Sequence, residues 1–121
     1  MRVNYAIVFV SDMKRSVTFY RDVLGLPLRF ETAGWTEFAT EGSTLALHAT
    51  EEAARPDDNY ERPGRCRTGF SVPDLDEFHK RMVEKNVPCI EEPKEMFGAR
   101  IAQYRDPDGM PLSVSEEGRR T

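Results

Sequence analysis

The chain has little cysteine and little histidine, two of each in 121 residues. That is too few classical ligands for a structural zinc site. Cys66 and Cys89 are not in a CxxC spacing, so they read as two reduced, partly buried thiols rather than a redox motif. No apolar run approaches the roughly 20 residues a bilayer span needs. The opening residues lack the n-region, h-region and cleavage site of a signal peptide, so a cytoplasmic location with no membrane partner is expected. Positive charge is not in excess: 17 Lys+Arg stand against 21 Asp+Glu, a formal net charge of -4. That argues against a general nucleic-acid binder, which needs a basic face. There is no phosphate-binding Gly loop and no GxSxG motif. Hydrophobic residues at 39% and charged residues at 31% are an ordinary globular composition, and the length suits one domain.

Along the chain, Asn4–Val10 is apolar and β-branched and reads as a strand. Asp12 is a good N-cap, and Met13, Val17, Tyr20 and Leu24 then follow a helical period. Gly25 and Pro27 stop that helix, giving about Met13–Leu24. Leu28–Thr32, Trp35–Thr40 and Thr44–Ala49 read as short strands separated by turn residues. Glu51–Gly64 is polar, contains two prolines and reads as a linker. Arg67–Val72 is a strand again. Asp74 with Glu77 forms a capping box, and Leu75, Phe78 and Met82 mark the apolar face of a second helix that ends near Asn86. Cys89–Glu92, Ala99–Arg105 and Pro111–Ser115 complete the strands. Asp106-Pro107-Asp108-Gly109 is a hairpin turn and not a calcium loop, because the later ligands are missing. Residues 118–121 read as a loose tail.

The second half repeats the first. Val10-Ser11-Asp12-Met13 matches Val72-Pro73-Asp74-Leu75, Leu26-Pro27 matches Val87-Pro88, and Gly42 matches Gly109. A repeat of about 60 residues points to duplication. Each half reads β-α-β-β-β. By the same repeat, Tyr104 aligns with Glu37, and the facing of both depends on a hairpin register that the sequence leaves open.

Two segments carry a resemblance to a known family. Residues 10–26, with Val10-Ser11-Asp12-Met13 leading to Phe19-Tyr20 and Leu24-Gly25-Leu26, resemble the first strand-to-helix signature of the vicinal oxygen chelate superfamily. That superfamily includes glyoxalase I, bleomycin-resistance proteins, fosfomycin-resistance enzymes and extradiol dioxygenases. Tyr104-Arg105-Asp106-Pro107-Asp108-Gly109 resembles its turn before the last strand. The resemblance covers essentially the whole chain. It implies an α+β fold: tandem βαβββ modules, about 1–50 and 65–117, forming curled mixed sheets with helices on the convex side. It also implies a homodimer whose paired cups enclose a pocket for a divalent metal or an organic ligand.

Metal-dependent members of the family carry ligands at four strand positions, which match Tyr5, Ala46, Arg67 and Ser113 here. Ala has no donor atom, and Arg brings a fixed positive charge. A one-residue slip would put Asn4 or Ala6, Leu45 or Leu47, Cys66 or Thr68, and Leu112 or Val114 there instead. The expectation is therefore no metal cofactor, with glyoxalase I and extradiol dioxygenase chemistry in its metal-dependent form disfavoured.

Alternation along strands places His48 with Ala46, and Tyr5 with Ile7 and Phe9. Arg67 shares a face with Gly69, and Ser113 with Ser115. The expected ligand-binding set is Tyr5, Trp35, Phe38, His48, Arg67 and Ser113, an apolar lining with a few polar groups. Trp35, the only tryptophan, suits stacking on a flat ligand. Arg67 suits a carboxylate or phosphate fork; its structural alternative is a rim Arg paired with an acid such as Glu37, or solvated. His48 and Tyr5 are the candidates for catalytic proton transfer. His79, beside Lys80, is placed on the solvated face of the second helix.

Three readings stay open. The first is a metal-free binder or sequestering protein for a small aromatic or anionic molecule; an Arg among the cup residues fits a cationic drug such as bleomycin poorly. The second is an enzyme, a glyoxalase-type lyase or isomerase or a dioxygenase with atypical or absent metal ligands. The third is a regulatory or partner-binding module.

Overall fold

The computed structural model describes residues 1–53 and 60–118. The chain divides into two compact units, Met1–Pro56 and Asp57–Thr121. The middle of the expected linker and the last three residues of the expected tail lie outside the described residues.

The first unit is a βαβββ module. Its elements are β1 (Tyr5–Val10), α1 (Met13–Thr18), β2 (Leu28–Glu31), β3 (Trp35–Phe38) and β4 (Thr44–Ala49). The four strands form one mixed sheet in the order β1-β4-β3-β2, with β1 parallel to β4 and the other pairs antiparallel. Asp12 caps α1, its carboxylate accepting from the Arg15 amide at 3.1 Å. The cap satisfies an amide that the first turn leaves unpaired and contributes about 1 kcal/mol.

The helix continues to Val23 as the sequence indicates, but Phe19–Val23 is a π-turn. The Leu24 amide donates to the carbonyl five residues back, on Phe19. The wider turn holds Phe19 and Tyr20 edge-to-face, with ring centroids 5.1 Å apart, and buries both. Val23 and Leu24 are thereby only half-buried, so the core stripe ends a turn earlier than its helical period implies. Gly25 takes the left-handed conformation that ends the helix (φ 86°).

The second unit repeats the plan. Its elements are β5 (Thr68–Val72), α2 (Leu75–Glu84), β6 (Cys89–Met96), β7 (Ala99–Arg105) and β8 (Pro111–Glu116). The sheet order is β5-β8-β7-β6, the same topology one module later. Asp74 caps α2 through the Glu77 amide at 3.0 Å, and Leu75, Phe78 and Met82 are its buried face. Asn86 is left-handed at φ 58°, as a residue just past a helix end should be. Asp106 organises the β7–β8 turn, its Oδ1 accepting from the Asp108 and Met110 amides, both at 2.9 Å.

Four expectations are corrected. The strand expected at Cys89–Glu92 runs on to Met96, through Pro93. Proline is tolerated there because β6 is an edge strand whose register shifts between Glu91 and Lys94. A two-residue hairpin that the sequence reading missed, Phe97-Gly98, then joins β6 to β7; its φ values of 53° and 77° are the positive pair that a primed turn requires. His79 is not on the solvated face. Its Nδ1 lies 2.9 Å from the Tyr104 hydroxyl in a shared hydrogen bond, because the helical step places position 79 beside Leu75 and Met82. Finally, Cys66 and Cys89 are free but exposed, not partly buried.

Two predictions follow from this packing. Phe97 is almost fully exposed and adopts a conformation that Asn tolerates better than Phe. Phe97→Asn is expected to raise the unfolding free energy by about 1 kcal/mol in urea titration. Burial, and secondarily the Cys89 thiolate, pushes the Tyr104 phenol well above its ordinary range. The unfolded chain ionises this group first, so its contribution is complete below about pH 10 and is lost as pH rises beyond that. Denaturation at pH 8 and pH 11 should show an alkaline loss that shrinks in Tyr104→Phe.

Candidate functional site

Alternation in the first sheet divides its side chains cleanly. Val8, Val10, Thr36, Phe38, Leu45 and Leu47 are buried on the helix face. Tyr5, Ile7, Phe9, Trp35, Glu37, Ala46 and His48 fall on the other face. The register makes this consistent across strands: Ile7 and Glu37 both oppose Ala46, and Phe9 and Trp35 both oppose His48.

This second face is open and aromatic. Tyr5 and Trp35 meet edge-on with centroids 6.1 Å apart. Trp35 meets His48 edge-on at 6.0 Å, and His48 meets Phe9 at 5.3 Å. Tyr5, Ile7 and Phe9 are 43%, 47% and 64% exposed. A row of that size left in water on one strand is costly, and such rows mark binding surfaces.

A carboxylate sits among these rings. Glu37 is 8% exposed. Its Oε2 accepts from the Trp35 indole Nε1–H at 2.9 Å, and its Oε1 accepts from Arg29 Nη1 at 3.1 Å. The same Arg29 nitrogen donates to Thr44 Oγ1 at 3.2 Å. Both oxygens of this buried carboxylate have a donor, and it fixes the indole in plane. Neither Glu37 nor Arg29 was among the expected ligand-binding residues. A signal for Glu37 was present, because strand alternation places it with Trp35. Arg29 had none, since its placement depends on a register shift between Leu28 and Phe30.

The expected site residues divide accordingly. Tyr5, Trp35 and His48 come together on the open face of the first module. Phe38 does not. It is fully buried on the helix face with its ring 6.1 Å from that of Tyr20, because positions 35 and 38 point to opposite sides of one strand. Arg67 lies just before β5 rather than in it, and it pairs with Glu61 at 3.6 Å, not with Glu37. Ser113 lies on β8 opposite Gly69 and Gln103. That face of the second sheet also carries Ser71 and Ser115, whose hydroxyls are 3.5 Å apart. The alignment of Tyr104 with Glu37 is off by one residue. Glu37 opposes Ala46 and Gln103 opposes Ser113, so Gln103 is the counterpart of Glu37, while Tyr104 points to α2.

A family profile, Glyoxalase/Bleomycin resistance protein/Dioxygenase superfamily, matches residues 2–114. The chain belongs to this superfamily. It is 31% identical to the uncharacterized protein YraH of Bacillus subtilis (strain 168), over 89% of this chain and 92% of that protein. It is 25% identical to the metallothiol transferase FosB of Lysinibacillus sphaericus (strain C3-41), over 88% of this chain and 76% of that protein. Among solved structures it resembles a protein of unknown function from Agrobacterium tumefaciens str. C58, with TM-score 0.76, 28% identity and coverage of 97% and 94%.

The residues at the superfamily's metal positions do not fit a divalent ion. Ala46 is fully buried and has no donor atom, Tyr5 is an exposed phenol, Arg67 is a cation and Ser113 offers a neutral hydroxyl. Among the described residues no cluster of three His, Cys, Asp or Glu side chains is arranged to hold a metal. Elemental mass spectrometry on protein purified without chelator or affinity tag is expected to find far less than one divalent ion per chain. A stoichiometric ion would overturn the assignment of these four positions as non-ligands.

Proposed function

We propose that this superfamily member binds, and so sequesters, a small organic molecule on the open face of the first module, acting as a homodimer. The observation that supports it is the exposed ring array of Tyr5, Trp35, His48 and Phe9 around a buried, fully hydrogen-bonded carboxylate. Flat rings set edge to edge offer faces for a planar ligand, and the bordering Ile7 adds apolar area. The polar groups are few and held in place, as in a site that selects orientation rather than one that solvates a charge. FosB, to which the chain is similar, is by its name a metallothiol transferase; the donor set here carries no step of that kind through a metal.

A second reading is an enzyme of the glyoxalase type that works without the usual ligands. The placement of His48 and Tyr5 on the same open face as Trp35 favours it, since both side chains can exchange protons. It shares its first requirement with the binding reading, because a substrate must sit on that face.

The single tryptophan makes the test direct. Trp35 fluorescence should change saturably as mono- and bicyclic aromatic compounds are titrated into the full chain. Tyr5→Ala should weaken the response about tenfold, by removing one ring wall. No saturable change with any compound up to millimolar concentration would overturn the proposal.

A further inference from the structure

The open face holds one cation whose placement is built rather than incidental. Strand β2 is at the sheet edge and shifts register between Leu28 and Phe30, leaving Arg29 as the extra residue. Bulges of this kind re-aim a side chain. Here the guanidinium reaches across β3 to Thr44 on β4 and rests on Glu37. Glu37 also holds the Trp35 indole, so one carboxylate fixes both a cation and a ring.

The two charges of this pair are not equally available. The Glu37 side chain is 11% exposed, and each of its oxygens already has a donor. The Arg29 side chain is 46% exposed, and among the described residues only its Nη1 is engaged. The Nε and Nη2 donors remain, and a guanidinium presents its donors in a planar fork that matches an oxyanion. A cationic ligand would have to displace Arg29 from Glu37. An anionic one would add to the pair and leave it intact.

We propose that Arg29 is the anion anchor of the site, and that the ligand is a planar aromatic molecule bearing an oxyanion, its ring against Trp35 and Tyr5 and its charge on the Arg29 fork. This rests on the proposed binding face and adds the ligand class. Glu37 is then a positioning residue, holding the fork and the ring at a fixed spacing. Arg67, a candidate for such a fork in the sequence reading, pairs with Glu61.

The indole N–H of Trp35 gives a single resonance in a proton–nitrogen correlation spectrum, and it sits on the Glu37 carboxylate next to Arg29. Benzoate, phenyl phosphate and benzamide, titrated into the full chain, separate charge from ring. Benzoate or phenyl phosphate should bind about tenfold more tightly than benzamide, the worth of one charge-assisted contact. The stronger of the two anions identifies the oxyanion, and either preference supports the proposal. Arg29→Lys, which keeps the charge but loses the fork, should narrow the preference. The double variant Arg29→Gln with Glu37→Gln, which leaves no unpaired buried charge, should erase it while benzamide binding persists. Equal binding of all three compounds by the native protein would overturn the anion anchor and leave aromatic binding standing. A Trp35 resonance that no compound moves would overturn both.

Discussion

The structure of the first module depends on the register of β4. This strand lies between β1, to which it runs parallel, and β3, to which it runs antiparallel. Its alternation sends Leu45 and Leu47 into the core against α1 and leaves Ala46 and His48 on the open face. Moving β4 by one residue would exchange the two sets, burying an imidazole and exposing two leucines. Each leucine is worth about 2 kcal/mol of buried apolar surface, so the register is strongly held. Everything on the open face inherits it: Glu37 opposite Ala46, Trp35 and Phe9 opposite His48, and Tyr5 opposite Thr44.

A sheet with only one face covered by a helix normally turns polar side chains to the other. The first module turns Tyr5, Ile7, Phe9, Trp35 and His48 there instead, with the ion pair Arg29–Glu37 set among them. The second module is different. Its corresponding face carries Gly69, Ser71, Ser113 and Ser115 beside Gln103 and Ile101, with Arg105 opposite Pro111 and the charged Glu91 and Lys94 opposite Gln103 and Ile101 on the edge strand. Duplicated topology has therefore been kept while the chemistry of the two faces has diverged. Aromatic rings dominate the face of the first module, and hydroxyls, an amide and edge-strand charges that of the second.

Much of the architecture is legible from residue pattern. Asp12 and Asp74 cap their helices as expected, Gly25 and Asn86 end them, and both sheets have the strand content that the repeat implies. These features are local, because a cap or a left-handed residue acts within one turn of its own position. The failures share a cause. The strand expected at Cys89–Glu92 runs past Pro93 because β6 is an edge, where a missing N–H breaks no ladder bond in the interior of the sheet. His79 is expected on the solvated face beside Lys80; its partner is Tyr104, from a different element. Phe38, expected in the candidate site, lies three positions from Trp35 on one strand, a parity that sends it to the opposite face.

By itself, the sequence determined the βαβββ repeat, the helix ends, and the unsuitability of Tyr5, Ala46, Arg67 and Ser113 as a metal set, since donor chemistry belongs to residue type. It also placed Tyr5 with Phe9, and Ala46 with His48, because alternation along one strand needs no partner. Only the tertiary structure decided which strands set those residues side by side, that Glu37 shares their face while Tyr104 turns to α2 in its own module, and that Arg29 reaches Glu37. Those outcomes turn on inter-strand register and on one bulge, and register is set by pairings between residues far apart in the chain.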